Sequence, residues 1–203
     1  MCARFDFTDA AKERLEQFLQ TLPAFQGAEK EKQALSAFPT GDVRPTQRAP
    51  ALSLGRQEGT LSLSFPLWGF AGREGKPVIN ARAETVREKP MFRDAADRGR
   101  CLVPAGAFYE WNRDREKVTF FDQRSPLLFL AGIARPYPDG LHFCLLTTAA
   151  NRSMAPVHGR MPLILPEELA LSWVLDRDRT EELLAMTPRE LDRSQDYEQL
   201  SFF

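Results

Sequence analysis

Leu127-Leu-Phe-Leu-Ala-Gly-Ile133 and Leu141-His-Phe-Cys-Leu-Leu-Thr-Thr148 are two short apolar runs, each bounded by Pro, Gly or charge. Runs of this length, rich in branched and aromatic residues, read as buried β-strands rather than helices. The signal recurs on both sides of them. Leu61, Leu63 and Phe65 alternate with serines, and Val78–Ile79, Cys101–Val103, Phe108–Trp111, Val118–Phe121 and Leu163–Leu165 are further short runs. Helical patterns lie outside this block. Thr8 and Asp9 offer an N-cap for a helix through about Leu22, with Leu15, Phe18, Leu19 and Leu22 on one face. A short helix is expected at 29–37, another from Pro166-Glu167-Glu168, and a last one from Thr180 through Met186. Strands and helices do not alternate regularly. The expectation is one α+β domain over residues 1–203, with a mainly antiparallel sheet curled toward a barrel and flanked by helices. Residues 193–203 read as a peripheral tail.

The chain has 203 residues, 43% of them hydrophobic, enough for one well-buried core. Its apolar runs fall short of a membrane span, and Arg4, Asp6 and Lys12 interrupt any signal-peptide core. Three widely spaced cysteines without a CxxC argue against a disulfide framework or thiolate zinc site, and for the cytoplasm. No metal or other cofactor, membrane association or obligate protein partner is expected. The net charge of −1 excludes the global basic field of a nonspecific DNA coater. Arginine supplies 21 of the 27 basic residues, which permits a local groove for phosphates as readily as it reflects genome composition.

Cys2 follows the initiator Met1 directly. Removal of one residue leaves a thiol and an α-amine on neighbouring carbons. Both are partly nucleophilic near neutral pH. Such a 1,2-aminothiol attacks an aldehyde twice, first as an imine and then through sulfur to a thiazolidine. Ala3, Arg4, Phe5 and Phe7 alternate as a strand does, which would hold the cysteine in place.

Three polar segments stand inside apolar surroundings. In Asn80-Ala81-Arg82-Ala83-Glu84, the amide, guanidinium and carboxylate share one face of a strand, either buried around a ligand or exposed to solvent. Glu110 sits among Phe108, Tyr109 and Trp111, a setting that makes a carboxyl group a usable general acid or base. The alternative is simple alternation with Glu110 outward. His158 lies in a glycine-containing loop and suits proton transfer, whereas His142, between Leu141 and Phe143, reads as structural.

The ordered set Met1–Phe5, Trp68-Gly69, Asn80–Thr85, Arg100–Trp111, Thr147–Asn151 and His158–Pro162 resembles the SOS-response-associated peptidase (SRAP) family, also called abasic-site processing proteins. The resemblance implies covalent capture of abasic sites in single-stranded DNA, as a thiazolidine crosslink through Cys2 after Met1 removal. It further implies lyase and crosslink-reversal activity in the damage response. Carried over, Asn80 would position Cys2 or the opened sugar, Glu110 would handle protons at the amine, and His158 would assist sugar opening and β-elimination. Arg4, Arg82 and Arg160 would contact phosphates, Trp68 would stack on or wedge beside a base, and Pro45 and Thr147 would line the cleft. Ala3, Asp42, Arg44 and Ala107 depart from the family pattern, and Phe70–Lys76 is short and lacks a second tryptophan. Two other readings stand beside this one. The first is a cysteine peptidase with Cys2 as nucleophile and His158 as base; the second is a non-catalytic single-strand binder using Trp68 and the arginines.

Overall fold

The computed structural model describes residues 2–23, 25, 29–57 and 59–195. The strands in chain order are β1 (Phe5–Phe7), β2 (Gly41–Val43), β3 (Ala51–Leu54), β4 (Leu61–Ser64), β5 (Leu67–Trp68), β6 (Asn80–Arg82) and β7 (Arg100–Ala105). They continue as β8 (Ala107–Trp111), β9 (Lys117–Phe121), β10 (Leu128–Tyr137), β11 (Gly140–Ala149), β12 (Arg160–Pro162), β13 (Ile164–Leu165) and β14 (Asp192–Gln195). The helices are α1 (Asp9–Gln20), α2 (Glu29–Ala37), α3 (Arg93–Arg98), α4 (Glu167–Leu175) and α5 (Thr180–Leu184).

Two open sheets form, and neither closes, so the expected barrel-like curl is corrected to a pair of sheets. One runs β14-β9-β8-β1-β2; the other follows β12-β11-β10-β7-β3-β4, with β13 on β10 and β5 and β6 on β11. All pairings are antiparallel except those of β5 and β6 with β11. The chain passes from the second sheet to the first between β7 and β8. Gly106 makes that corner, where its N–H donates to the Asp6 carbonyl at 2.7 Å. A Cβ there would lie 2.3 Å from Thr8 Oγ1, so only glycine fits.

The apolar runs Leu127–Ile133 and Leu141–Thr148 lie in the long hairpin β10–β11, paired from Gly132↔Leu145 to Tyr137↔Gly140. Beyond Gly132 the two strands part. The segment carrying β12 and β13 fills the fork: Leu163 N–H donates to Leu146 O, and Ala131 N–H to Leu163 O, both at 2.8 Å. This fork leaves the end of β11 flanked by β6 and β12, the two elements bearing Asn80, Arg82 and Arg160. Trp173 of α4 covers the sheet, its indole N–H donating to Cys101 O at 3.0 Å and Gly132 O at 3.2 Å.

Thr8 caps α1 as expected, its hydroxyl oxygen accepting from Ala11 N–H at 3.1 Å. Ala11, Leu15, Phe18 and Leu19 are the buried face, and Phe18 meets Phe129 at 5.0 Å between ring centroids. α2 matches the expected 29–37. α3, six mostly polar residues, gave no periodic signal. Of the expected peripheral tail, 193–195 instead belongs to β14, which pairs with β9 from Asp192↔Phe121 to Gln195↔Val118; residues 196–203 lie outside the described residues. Asn151 clasps this end of the chain. Its amide donates to Pro188 O and Arg189 O, while its carbonyl oxygen accepts from Ser153 and from Met154 N–H. Among the described residues, no helix is long and apolar enough to cross a membrane.

Candidate active site at the end of the β11 fork

β1 lies between β2 and β8, with Phe5↔Phe108 and Asp6↔Ala107 in register. The ladder continues one step further, as Tyr109 N–H donates to Arg4 O at 3.0 Å. This brings the segment before β1 alongside Glu110. Cys2 is fully buried, and its thiol donates to Arg4 O at 3.6 Å. From β6 of the other sheet, Asn80 Nδ2 donates to the Cys2 carbonyl at 2.8 Å. Asn80 Oδ1 is also buried and has no hydrogen-bond partner among the described residues. An orphaned buried acceptor costs on the order of 1–3 kcal/mol, and it offers an incoming N–H or O–H a ready place beside Cys2.

Glu110 points inward with Phe108, while Tyr109 and Trp111 face the other way, so the outward alternative for Glu110 does not hold. Burial pushes the Cys2 thiol up to about 12, and the nearby Glu110 carboxylate adds to the shift. The buried thiol is therefore protonated at neutral pH. Glu110 stands within electrostatic reach of that thiol.

His158 sits in the turn before β12. Its Nδ1 lies 3.0 Å from both the backbone nitrogen and the carbonyl oxygen of Arg160, so which of the two it bonds follows the ring's tautomer. The contacts linking His158 to Asn80 run through Arg160, Thr147 and Arg82. Arg160 donates to Thr147 O at 2.5 Å, and Thr147 pairs with Arg82 two residues from Asn80. Asn80 is thus bonded to Cys2 and Glu110 lies within electrostatic reach of the Cys2 thiol, while His158 stands beside Arg160 at the start of β12.

The expected DNA contacts fare unevenly. Trp68 is corrected: it is fully buried, stacked on Phe143 at 5.9 Å, tilted against Phe5 at 5.1 Å, and bonded through its indole N–H to Ile79 O at 2.9 Å. It is a core residue with no face for a base. The reason is Gly69, at φ +126° and with Pro77 Cβ 2.7 Å from where a Cβ would stand, which folds the chain back over the ring. Thr147 is corrected likewise. It is fully buried, and its hydroxyl turns to Ala81 O and Arg160 rather than to a cleft. Arg160 is largely buried and forked onto Glu84 at 2.6 and 2.8 Å, so its guanidinium is already engaged. Hydrogen bonding from Arg160 is the chief cause that holds the Glu84 carboxyl below its ordinary range. Glu84 itself leaves the strand for a 3₁₀ turn, so the three-residue polar face ends at Arg82.

Arg4 also has a partner. Its Nε and Nη2 donate to the two oxygens of Asp42 at 2.6 and 2.5 Å. Burial pushes the Asp42 carboxyl up, but the hydrogen bonds and charges of Arg4 and Arg44 together outweigh it and hold it low. Arg82 is exposed, and Pro45 is half-buried in the turn after β2. One aromatic was missed. Trp111, adjacent to Glu110, is 39% exposed, the only tryptophan among the exposed large hydrophobic residues described. It stands across from Lys117, which packs over Tyr109 at 5.2 Å as Arg4 does at 5.3 Å. The alternation Phe108-Tyr109-Glu110-Trp111 carried this signal, since an inward Glu110 forces Trp111 outward. His142 is structural, held between Gly69 O at 2.7 Å and Asp139 at 3.0 Å. Among the described residues, no three His, Cys, Asp or Glu side chains gather as a metal-ligand set.

Known proteins match this chain at sequence and fold level. It is 33% identical over 192 residues to the abasic site processing protein YoqW of Bacillus subtilis, covering 86% of this chain and 80% of that protein. It is 30% identical over 221 residues to the abasic site processing protein YoaM of the same organism, covering 98% and 90%. A solved structure of a protein from Bacteroides thetaiotaomicron shares the fold with a TM-score of 0.76 at 20% identity, over 96% of this chain and 91% of that one. The description of the SOS response associated peptidase (SRAP) family matches residues 1–200. With Cys2, Asn80 and Glu110 assembled from both sheets and this match over nearly its whole length, the chain belongs to the SRAP family.

Proposed function

We propose that this protein captures abasic sites in single-stranded DNA as a covalent thiazolidine through Cys2, once Met1 has been removed. The observation that carries the reading is the 2.8 Å bond from Asn80 to the Cys2 carbonyl, made beside Glu110. It fixes the backbone of the residue that must present both nucleophiles. The names of the matched relatives support the substrate class.

In the proposed sequence, the Cys2 amine attacks the aldehyde of the ring-opened sugar and water leaves, giving an imine. Glu110 takes the thiol proton, sulfur adds to the imine carbon, and the proton passes to nitrogen. The imine also acidifies the neighbouring carbon, so loss of a proton there with departure of the 3′ phosphate constitutes the lyase reaction. His158 serves that step and crosslink reversal. Arg82 contacts the backbone, and Trp111 replaces Trp68 as the stacking surface, worth about 1–3 kcal/mol per base. The free amine is obtained by a peptidase-type cleavage of the Met1–Cys2 bond.

Incubation with an abasic oligonucleotide, followed by intact mass spectrometry and a denaturing gel, tests the proposal. A one-to-one adduct on protein lacking Met1, absent in Cys2→Ala and slowed by about tenfold or more in Asn80→Ala, is expected. A normal adduct yield from Cys2→Ala rejects the mechanism. Equal affinity for intact and abasic strands without any adduct points instead to a non-catalytic binder.

A further inference from the structure

Resting on the single-strand reading above, we propose that Arg44, rather than Arg4, is the guanidinium that contacts a DNA phosphate on the β1–β2 side of the site, and that Asp42 is the positioning residue which holds Arg4 out of that role. Asp42 is the shared partner of both arginines. Arg4 meets it edge-on, Nε to Oδ1 at 2.6 Å and Nη2 to Oδ2 at 2.5 Å, a bidentate pair. It also lies against the Tyr109 ring at 5.3 Å. Arg44 shares only Oδ2, with both of its nitrogens at 3.2 Å.

The two pairs differ in what a phosphate must displace. The Arg4–Asp42 fork is short, bidentate and less than one-third exposed, the strong form of such a contact. The Arg44 side chain is 61% exposed and shares a single oxygen at longer range, the weak form. An arriving phosphate therefore exchanges with Asp42 at Arg44 and leaves the Arg4 fork intact. Arg4 and Arg44 oppose Asp42, while Asp6, in register with Asp42, and Lys117, over the Tyr109 ring, add one charge of each sign, so one net positive charge remains for the anion.

The backbone presents Arg44 from a fixed turn. Arg44 N–H donates to Gln47 Oε1 at 2.8 Å, Gln47 N–H returns to Arg44 O at 3.1 Å, and Trp68 N–H ties Gln47 O at 2.8 Å. This turn follows β2, the edge of the first sheet, and exchanges backbone hydrogen bonds with Trp68 of β5 in the second. Trp68 in turn packs on Phe5 of β1 and donates to Ile79 O, one residue from Asn80, which ties the turn to the junction of the two sheets. The side chain is long and solvent-facing, while its anchor is rigid, the combination expected of a phosphate contact at a single-strand groove.

Fluorescence anisotropy with a labelled, undamaged oligothymidylate, run across a salt series, tests the assignment. Each phosphate contact on a single strand contributes about 0.7 to the slope of log K against log salt. Arg44→Ala is expected to make the slope shallower by about 0.7. The double variant Arg4→Ala/Asp42→Ala, which removes the fork as a neutral pair and keeps Arg44, is expected to leave it unchanged, and Asp42→Asn to steepen it by about 0.7, because Arg4 is then released. Circular dichroism checks that each variant is folded. Wild-type binding and crosslinking with an unchanged slope in Arg44→Ala, or a shallower one in the Arg4→Ala/Asp42→Ala double variant, overturns the assignment alone. A wild-type protein that neither binds the strand nor forms an adduct with an abasic one overturns the functional reading, and the Arg44 assignment with it.

Discussion

Replacing Trp68 with phenylalanine separates a core tryptophan from a base-stacking one. In the fold, the Trp68 indole is fully buried between Phe5 and Phe143 and donates to Ile79 O. Phenylalanine keeps a ring in the stack but loses the indole N–H and part of the buried area. Ile79 O still accepts from Leu145 N–H at 3.0 Å, so no carbonyl is orphaned and the lost bond costs about 1 kcal/mol. The smaller ring leaves a gap that costs about another 1 kcal/mol. The expected destabilisation is thus about 2 kcal/mol. With a urea m-value of about 2 kcal/mol/M, the unfolding midpoint falls by about 1 M while m is unchanged. Affinity for single-stranded DNA, measured well below that midpoint, stays at the wild-type level. Trp111→Ala is expected to do the reverse: little change in midpoint, and about 5- to 150-fold weaker binding from the loss of about 1–3 kcal/mol of stacking. If Trp68→Phe shifts the midpoint by less than about 0.3 M yet weakens binding, the core assignment is refuted.

Two further outcomes follow from buried polar groups. Asn151→Ala removes four hydrogen bonds, two of which fasten the Pro188 and Arg189 carbonyls, and it is expected to cost about 2–4 kcal/mol in urea unfolding. The pH dependence of stability reports on Cys2. Its folded thiol is raised to about 12 by burial, from an ordinary value of 9.0, so the unfolded chain releases that proton first as pH rises. Stability from this group is complete below about pH 9 and is lost as pH climbs toward 12. In that window, the stability of Cys2→Ala should decline less steeply than wild type, by about 1.4 kcal/mol per pH unit in urea titrations. Equal slopes would mean that Cys2 is not buried in solution.

The local pattern around each strand was legible because burial on one or both faces writes itself into two-residue alternation or continuous apolar runs. β10 and β11 are the plainest case, and Thr8 with Asp9 marked the start of α1 by the same kind of local chemistry. The barrel expectation failed because alternation says which residues face a core but not whether a sheet's edges meet. β14 was missed because Asp192–Gln195 is a polar edge strand, with no apolar run to announce it. In the site, Cys2, Asn80 and Glu110 were chosen for their chemistry and adjoin one another for a reason invisible in the chain. β1 pairs with β8, while β6 reaches across from the other sheet.

Residue identity alone determined which groups are capable of the chemistry: a sulfur nucleophile near the start of the chain, a carboxylate set among aromatics, and a loop imidazole. Tertiary structure alone decided which of them are available. Trp68 and Trp111 are the same side chain, yet a glycine turn folds Trp68 into the core, while the inward turn of Glu110 leaves Trp111 in water. Arg4, Arg44 and Arg160 carry the same charge. Carboxylates contributed by residues distant or near in sequence leave Arg44 as the exposed one of the three. Exposure and ion pairing depend on what packs from elsewhere in the chain, and those long-range neighbours are set only when the two sheets come together.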